Sequence, residues 1–289
     1  MILVTGAAGK TGRAVIRALS RRGQAVRAFV HRPEQAALVT AAGAQQVVIG
    51  DMHNQAAVNE AAREIWAAYH ICPNMSPSEL EIGKAIVKAA QEAGIEHCVY
   101  HSVLHPQVEA MPHHWQKMRV EEQLFESGLR YTSLQPAVYM QNILGHWGRI
   151  VAEGVYAVPY AVGTRLSFVH LEDVAEAAAI VLTEPGHAGA TYELVGAEVL
   201  DQAEVAAILE QGLGRPVQAQ AVDRDLWEQE MRAAGLGDYQ IQTLLQMFCY
   251  YERYGFWGNS RVLEWLLGRP ATTLAAFVAR SARDNERAQ

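Results

Sequence analysis

Residues 1–12, MILVTGAAGKTG, decide how the rest of the chain is read. The β-branched, apolar run Ile2-Leu3-Val4 has the length of a buried strand. Gly6, Gly9 and Gly12 follow at three-residue spacing, and Val15, Ala18 and Leu19 then fall on one stripe of a helix. A strand that runs through a glycine turn into a helix is how a Rossmann-type fold receives the pyrophosphate of a dinucleotide. In that arrangement Gly6 makes the sharp turn, Gly9 lets the backbone approach the pyrophosphate, and Gly12 lets the helix lie close on the sheet. Ala8, Lys10 and Thr11 complete the loop, whose N–H groups at the helix N-terminus favour negative charge. A plain strand-to-helix turn can use as many glycines; the position at the first strand is what favours the dinucleotide.

Outward from this stretch one phrase repeats: an apolar helix, a glycine, then a strand. It recurs around Gly23, Gly43, Gly94 and Gly128, where a left-handed glycine ends each helix. The rhythm predicts strands near 2–5, 25–30, 45–49, 66–71, 96–101 and 130–135, with a seventh near 191–195. Strands alternating with helices imply a parallel, doubly wound sheet with right-handed crossovers. After about residue 151 the alternation stops. Residues 154–168, with Pro159, Tyr160 and Gly163, read as loop-rich, and 171–182 as a helix covering the sheet. Helical spacing then appears at 201–213, 223–234, 238–254 and 272–283, with a short extended piece near Val217. The expected class is therefore α/β: a Rossmann-type doubly wound parallel sheet with a smaller, mostly helical C-terminal lobe. The expected division is a dinucleotide-binding domain at 1–153, completed by about 166–196, a loop at 154–165, and a substrate-covering lobe at 197–289. Aromatic residues crowd that lobe, and they serve its core, an interface or a substrate pocket.

Composition limits the partners. A chain of 289 residues, 50% apolar, can bury a large core. A net charge of −7 argues against a nucleic-acid or anionic-membrane footprint. No run reaches 18 apolar residues, so no bilayer span is expected, and with a strand expected from the first residues no signal peptide is expected either. Cys72, Cys98 and Cys249 lie far apart, and the first two fall in strand-like runs where buried free thiols are the rule. A cytoplasmic location is expected, with a small-molecule acceptor as partner and a homodimer as the form of self-association considered.

The strand ends carry the binding chemistry. After the second strand the chain reads Phe29-Val30-His31-Arg32-Pro33. A carboxylate there would favour a free ribose 2′-hydroxyl; a guanidinium favours a 2′-phosphate. Arg32 thus points to NADP(H) over NAD(H), against the alternative of a solvated loop residue. After the third strand, Asp51 is placed to accept from the adenine amino group and Met52 to pack on its ring. After the fourth, Cys72, Pro73 and Asn74 stand at the carboxyl edge beside the switch point.

The stretch from Tyr100 to Asn142 reads YHSVLHPQVEAMPHHWQKMRVEEQLFESGLRYTSLQPAVYMQN. Together with GAAGKTG, the Arg32 loop, Gly50-Asp51-Met52 and the ending WLLGRPATTLAAFV (265–278), it resembles the NmrA-like family of atypical short-chain dehydrogenases. The resemblance covers nearly the whole chain. It implies kinship with triphenylmethane, azo-dye, quinone and isoflavone-type reductases and with non-catalytic NADP sensors. It also implies that Lys117 is an active-site residue holding the nicotinamide ribose, and that Ser102 occupies the position of a catalytic serine or threonine. Ordinary short-chain dehydrogenases use Tyr-x-x-x-Lys; here His113 stands four residues before Lys117, so the usual proton donor is missing.

Pro136 and Tyr139, after the sixth strand, are expected to flank the nicotinamide. His101, His105 and His113 follow the fifth strand and are expected to line the cleft, a neutral imidazole relaying a proton near pH 7. The alternative is that these histidines pin loop carbonyls. No metal is expected, since the spacing of the clustered histidines crosses a strand, Pro106 and a helix start. Tyr139, Tyr160 and Trp257 are assigned to the acceptor. Asp173 suits the first turn of the covering helix. The expected activity is hydride transfer from NADPH to a conjugated or aromatic acceptor such as a quinone, dye or enone. The alternative is a non-catalytic NADP(H)-sensing regulator acting through a protein partner, while an epimerase is disfavoured by His113.

Overall fold

The computed structural model describes residues 1–288. Six strands appear where the repeated phrase put them: β1 (Ile2–Val4), β2 (Val26–Val30), β3 (Gln46–Ile49), β4 (Ala67–His70), β5 (His97–His101) and β6 (Tyr131–Pro136). With the strand Ala190–Leu194 they form one seven-stranded sheet, in which that strand lies at one edge and is followed by β6, β5, β4, β1, β2 and β3. The pairings of β1 to β6 are parallel, with Leu3 opposite Arg27 on one side and Ala68 on the other. Every residue of β1 and β4 is buried, as in a sheet covered on both faces. The winding reverses between β1 and β4, which creates the crevice at their carboxyl ends.

Helices α1 (Lys10–Arg21), α2 (Ala36–Ala41), α3 (Gln55–Ala62), α4 (Glu79–Ala93) and α5 (Pro112–Glu126) connect these strands. The glycines ending the phrases have positive φ as expected: +71° at Gly23, +110° at Gly43, +66° at Gly94 and +73° at Gly128. Only glycine adopts this conformation without a Cβ penalty. Helix α4 buries Ile82, Gly83, Ile86, Ala89 and Ala90 on one stripe. A Cβ at Gly83 would stand 2.7 Å from a Val120 methyl, so the missing side chain is what lets α4 approach α5.

The chain forms two compact units. The first comprises residues 1–109, 113–136 and 174–192; the second comprises 110–112, 137–173 and 193–289. Segments 137–153 and 166–173, expected with the nucleotide domain, group with the second unit. Within that unit the passage expected as loop is partly strand. Val155–Val158 pairs in parallel with Gln218–Ala221, and Leu166–Val169 pairs with Val138–Tyr139 and Val199–Leu200. The physical reason is local: Tyr156, Ala157 and Val158 are apolar and buried, and an extended neighbour satisfies their backbone. The helices Gln202–Leu213, Arg224–Ala233, Asp238–Tyr254 and Leu274–Ala288 correspond to the helical spacing, while Arg261–Leu267 is an additional helix. Aromatic pairs fill this unit: Tyr251 stacks on Phe256 at 4.6 Å, and Trp227 meets Phe248 edge-on at 5.0 Å. No helix among the described residues is long and apolar enough to cross a membrane.

Candidate cofactor and active site

The glycine loop has the shape of an anion cradle. Gly6 has φ +57°, and a Cβ there would lie 2.7 Å from the Ile71 carbonyl oxygen. Thr5 ties the same two strand ends together: its Oγ1 takes the Ile71 N–H at 3.0 Å and lies 2.8 Å from His70 Nδ1. Gly12 serves the turn itself, since a Cβ there would stand 2.5 Å from the Gly6 carbonyl and 2.7 Å from Ala7 Cα. Helix α1 begins at Gly9 with no side-chain cap and no acidic residue in its first turn. Its first N–H groups therefore keep their capacity for an anion. Lys10 is exposed, while Ala8 and Thr11 are half-buried.

The loops after β2 and β3 differ in commitment. Arg32 is exposed, and its guanidinium has no partner among the described residues; Gln35 Oε1 takes the backbone N–H groups of His31 and Arg32 at 3.0 Å each. Asp51 accepts from the His53 backbone N–H at 2.9 Å, and its Oδ1 is 2.8 Å from His53 Nδ1. Those bonds hold its carboxyl below the usual range. Met52 packs on the core cluster that includes Phe29 and Val58. Past β4, Pro73 and Asn74 are exposed, whereas the Cys72 side chain is buried in that same cluster and burial pushes its thiol up. The cradle at Gly6 and the uncapped helix fit the pyrophosphate of a dinucleotide.

Helices α4 and α5 place a buried charged cluster against β4 and β5. Lys117 is 5% exposed, on the same face of α5 as His113 one turn earlier. Its Nζ donates to Glu79 Oε1 at 2.9 Å and to the His101 carbonyl at 3.2 Å, and it stands 5.3 Å from the Tyr100 ring centre. Tyr100 also donates to Glu79 Oε1, at 2.7 Å. Glu79 is 0% exposed. Burial alone would raise its carboxyl, but the Lys117 charge and the two hydrogen bonds bring it below the ordinary value. Glu79 is the residue missed by reading the sequence. It looks like a first-turn acid of α4, yet its spacing to Ile82 and Ile86 puts it on the apolar stripe, which is the signal that was available.

Four of the clustered imidazoles, those of His70, His101, His113 and His114, are neutral at pH 7. Burial pushes His70 and His114 down to about 4, and His101 and His113 down to about 3. Lys117 adds to this at His101 and His113. His101 Nδ1 lies 2.7 Å from the Tyr69 hydroxyl, and His114 Nδ1 lies 3.3 Å from the His105 carbonyl. His105 itself sits at φ +53°, an uncommon conformation for a non-glycine residue. Ser102 is buried, and its Oγ lacks a partner in hydrogen-bond geometry; burial raises the nearby Glu121 carboxyl, and the Ser102 hydroxyl opposes that rise without cancelling it. His113 Nδ1, His70 Nε2 and Glu79 Oε2 are likewise buried without partners. Pro136 closes β6 and is buried, its carbonyl accepting from Leu104 N–H at 2.9 Å.

The aromatic residues assigned to the acceptor belong to the second unit. Tyr139 is half-buried, Tyr160 meets Phe248 at 5.9 Å, and Trp257 is 56% exposed. Asp173 begins its helix as expected, but it is buried and does more than face a helix N-terminus. It accepts from Arg269 Nη2 at 2.8 Å, Thr272 N–H at 2.7 Å and Thr272 Oγ1 at 3.0 Å. No group of three His, Cys, Asp or Glu among the described residues is placed to hold a metal ion.

Known proteins resemble this chain over nearly its whole length. The NmrA-like family pattern matches residues 1–278. The NAD(P)H azoreductase of Xenophilus azovorans is 28% identical over 279 residues, covering 96% of each chain. Quinone oxidoreductase 2 of Escherichia coli strain K12 is 28% identical over 96% of this chain and 98% of its own. Its NADPH complex aligns with a TM-score of 0.86 over 97% of this chain and 99% of that one. The triphenylmethane reductase of Citrobacter sp. is 25% identical, with a TM-score of 0.84 over 98% of this chain and 99% of that one.

Proposed function

The chain belongs to the NmrA-like family, and on that premise we propose an NADPH-dependent reductase of conjugated or aromatic acceptors such as quinones and dyes. One observation carries the choice of acceptor: beside the fixed ammonium, the buried imidazoles of His70, His101, His113 and His114 are held neutral at pH 7. His113 replaces the usual tyrosine and is itself held neutral. NADPH, when bound, supplies a hydride. The chain's own residues bind and orient: the Gly6–Gly12 loop takes the pyrophosphate, and Arg32 takes the 2′-phosphate. Asp51 and Met52 meet the adenine, Cys72, Pro73 and Asn74 line the crevice, and Lys117 with Ser102 holds the nicotinamide ribose beside Pro136. Fixing donor and acceptor in contact is the larger part of catalysis here.

A quinone or cationic dye spreads the incoming charge, so it needs little acid help. A simple ketone concentrates that charge on one oxygen and suffers most without a donor. The test is steady-state NADPH oxidation against a panel of quinones, azo dyes, triphenylmethane dyes and unactivated ketones. Turnover of the conjugated acceptors with little or none of the ketones is expected. Equal rates with ketones would overturn the acceptor class.

A further inference from the structure

We propose that Glu79 is the positioning residue of this site, holding the Lys117 ammonium charged and aimed so that one N–H remains for the cofactor ribose. The proposal rests on the reading above, in which Lys117 meets the nicotinamide ribose. An ammonium has three donors. Two are spent, on Glu79 Oε1 and the His101 carbonyl, and the Tyr100 ring at 5.3 Å limits its movement on another side. Tyr100, donating to the same Oε1, fixes the carboxylate in turn.

Stability does not account for this arrangement. A buried ion pair roughly breaks even against well-packed apolar residues of the same volume, because desolvating two charges offsets their attraction. Glu79 also leaves Oε2 buried and unpartnered, a cost that an apolar residue would avoid. What the pair does supply is a charge fixed in direction within a nearly dry site.

No other group nearby can replace the carboxylate. From β4 and the residues after it come His70 and Cys72; from β5, Tyr100 and His101; from α5, His113, His114 and Glu121; from α4, Glu79 alone. The four imidazoles are neutral, and burial pushes both the Cys72 thiol and the Tyr100 phenol up. Glu121 turns both oxygens to Gln135 Nε2, at 2.9 and 3.1 Å. Glu79 is the carboxylate in contact with Lys117.

Glu79→Gln keeps the shape and removes the charge. A buried ammonium without its counter-ion gives up its proton more readily. NADPH binding and turnover of E79Q should therefore be near those of the unaltered protein at about pH 6 and fall about tenfold or more by about pH 9, where the unaltered protein stays level. In cofactor-free protein, the pH dependence of the Lys117 13Cε resonance should differ between E79Q and the unaltered chain. Glu79→Asp retains charge but withdraws it by one methylene. It should keep the level profile while weakening NADPH at least about threefold, and it serves if E79Q does not fold. A pH profile of E79Q parallel to the unaltered protein, or unaltered NADPH affinity in E79D, would overturn the proposal. Lys117→Met separates the two claims: NADPH affinity unchanged by K117M would defeat the ribose assignment itself, whatever Glu79 does.

Discussion

Both units bury charge, but they treat it differently. In the second, both oxygens of Asp173 are answered, by Arg269, the Thr272 N–H and the Thr272 hydroxyl. In the first, Glu79 Oε2, Ser102 Oγ, His113 Nδ1 and His70 Nε2 are enclosed without partners. A carboxylate with both oxygens bonded clamps a helix start to a loop. The proposed cofactor site would make use of the buried polar atoms left over near the Lys117 ammonium. The contrast between these two buried carboxylates can be attacked at several points.

The largest expected effect is on acid stability. His70, His101, His113 and His114 have folded values of about 4, 3, 3 and 4, below the ordinary 6.5. Because these values are lowered, the unfolded chain takes up protons first. Stability is complete above pH 6.5 and is lost as pH falls through 6.5 towards the folded values. Each histidine should cost about 2 kcal/mol by about pH 5. Hydrogen exchange, corrected for its intrinsic pH dependence, should show β4 and β5 losing protection before the helices of the second unit. Uniform loss in both units would remove the contrast.

A smaller effect comes from the glycine loop. Gly6→Ala puts a Cβ 2.7 Å from the Ile71 carbonyl at a positive φ and should cost about 3 kcal/mol together with NADPH binding. Gly145, in the second unit, has open space around its Cβ position and no positive φ. Gly145→Ala should stay within about 0.5 kcal/mol by thermal or denaturant unfolding. Smallest in stability and clear in binding is Arg32→Ala. It should leave unfolding unchanged while erasing roughly 10- to 100-fold of the preference for NADPH over NADH by calorimetry. Equal affinities in the unaltered protein would end the 2′-phosphate assignment.

These contrasts also explain what could be read from the chain before its structure. The first unit was legible because each helix ends in a left-handed glycine and each strand in an apolar run, so local chemistry and global topology agree. Lys117 and His113 were legible by their spacing and family resemblance. Glu79 was not, because an acid in the first turn of a helix is ordinary and only its partner 38 residues away shows that it is buried. How far His70, His101, His113 and His114 are pushed down depends on burial, which spacing does not encode. In the second unit, Val155–Val158 was hidden for a similar reason, since its partner Gln218–Ala221 lies some sixty residues on.

The central claim is that NADPH gives its hydride directly to a conjugated acceptor, and isotope transfer tests it most directly. NADPH deuterated at the transferring C4 position is incubated with a quinone or triphenylmethane dye whose reduced carbon or oxygen site can be followed by mass spectrometry and NMR. With a dye reduced at carbon, the account predicts one deuterium retained in the product per NADPH oxidised. Product free of deuterium, or tight NADPH binding with no acceptor reduced and an altered association with another protein, would contradict it and leave the sensing role in its place.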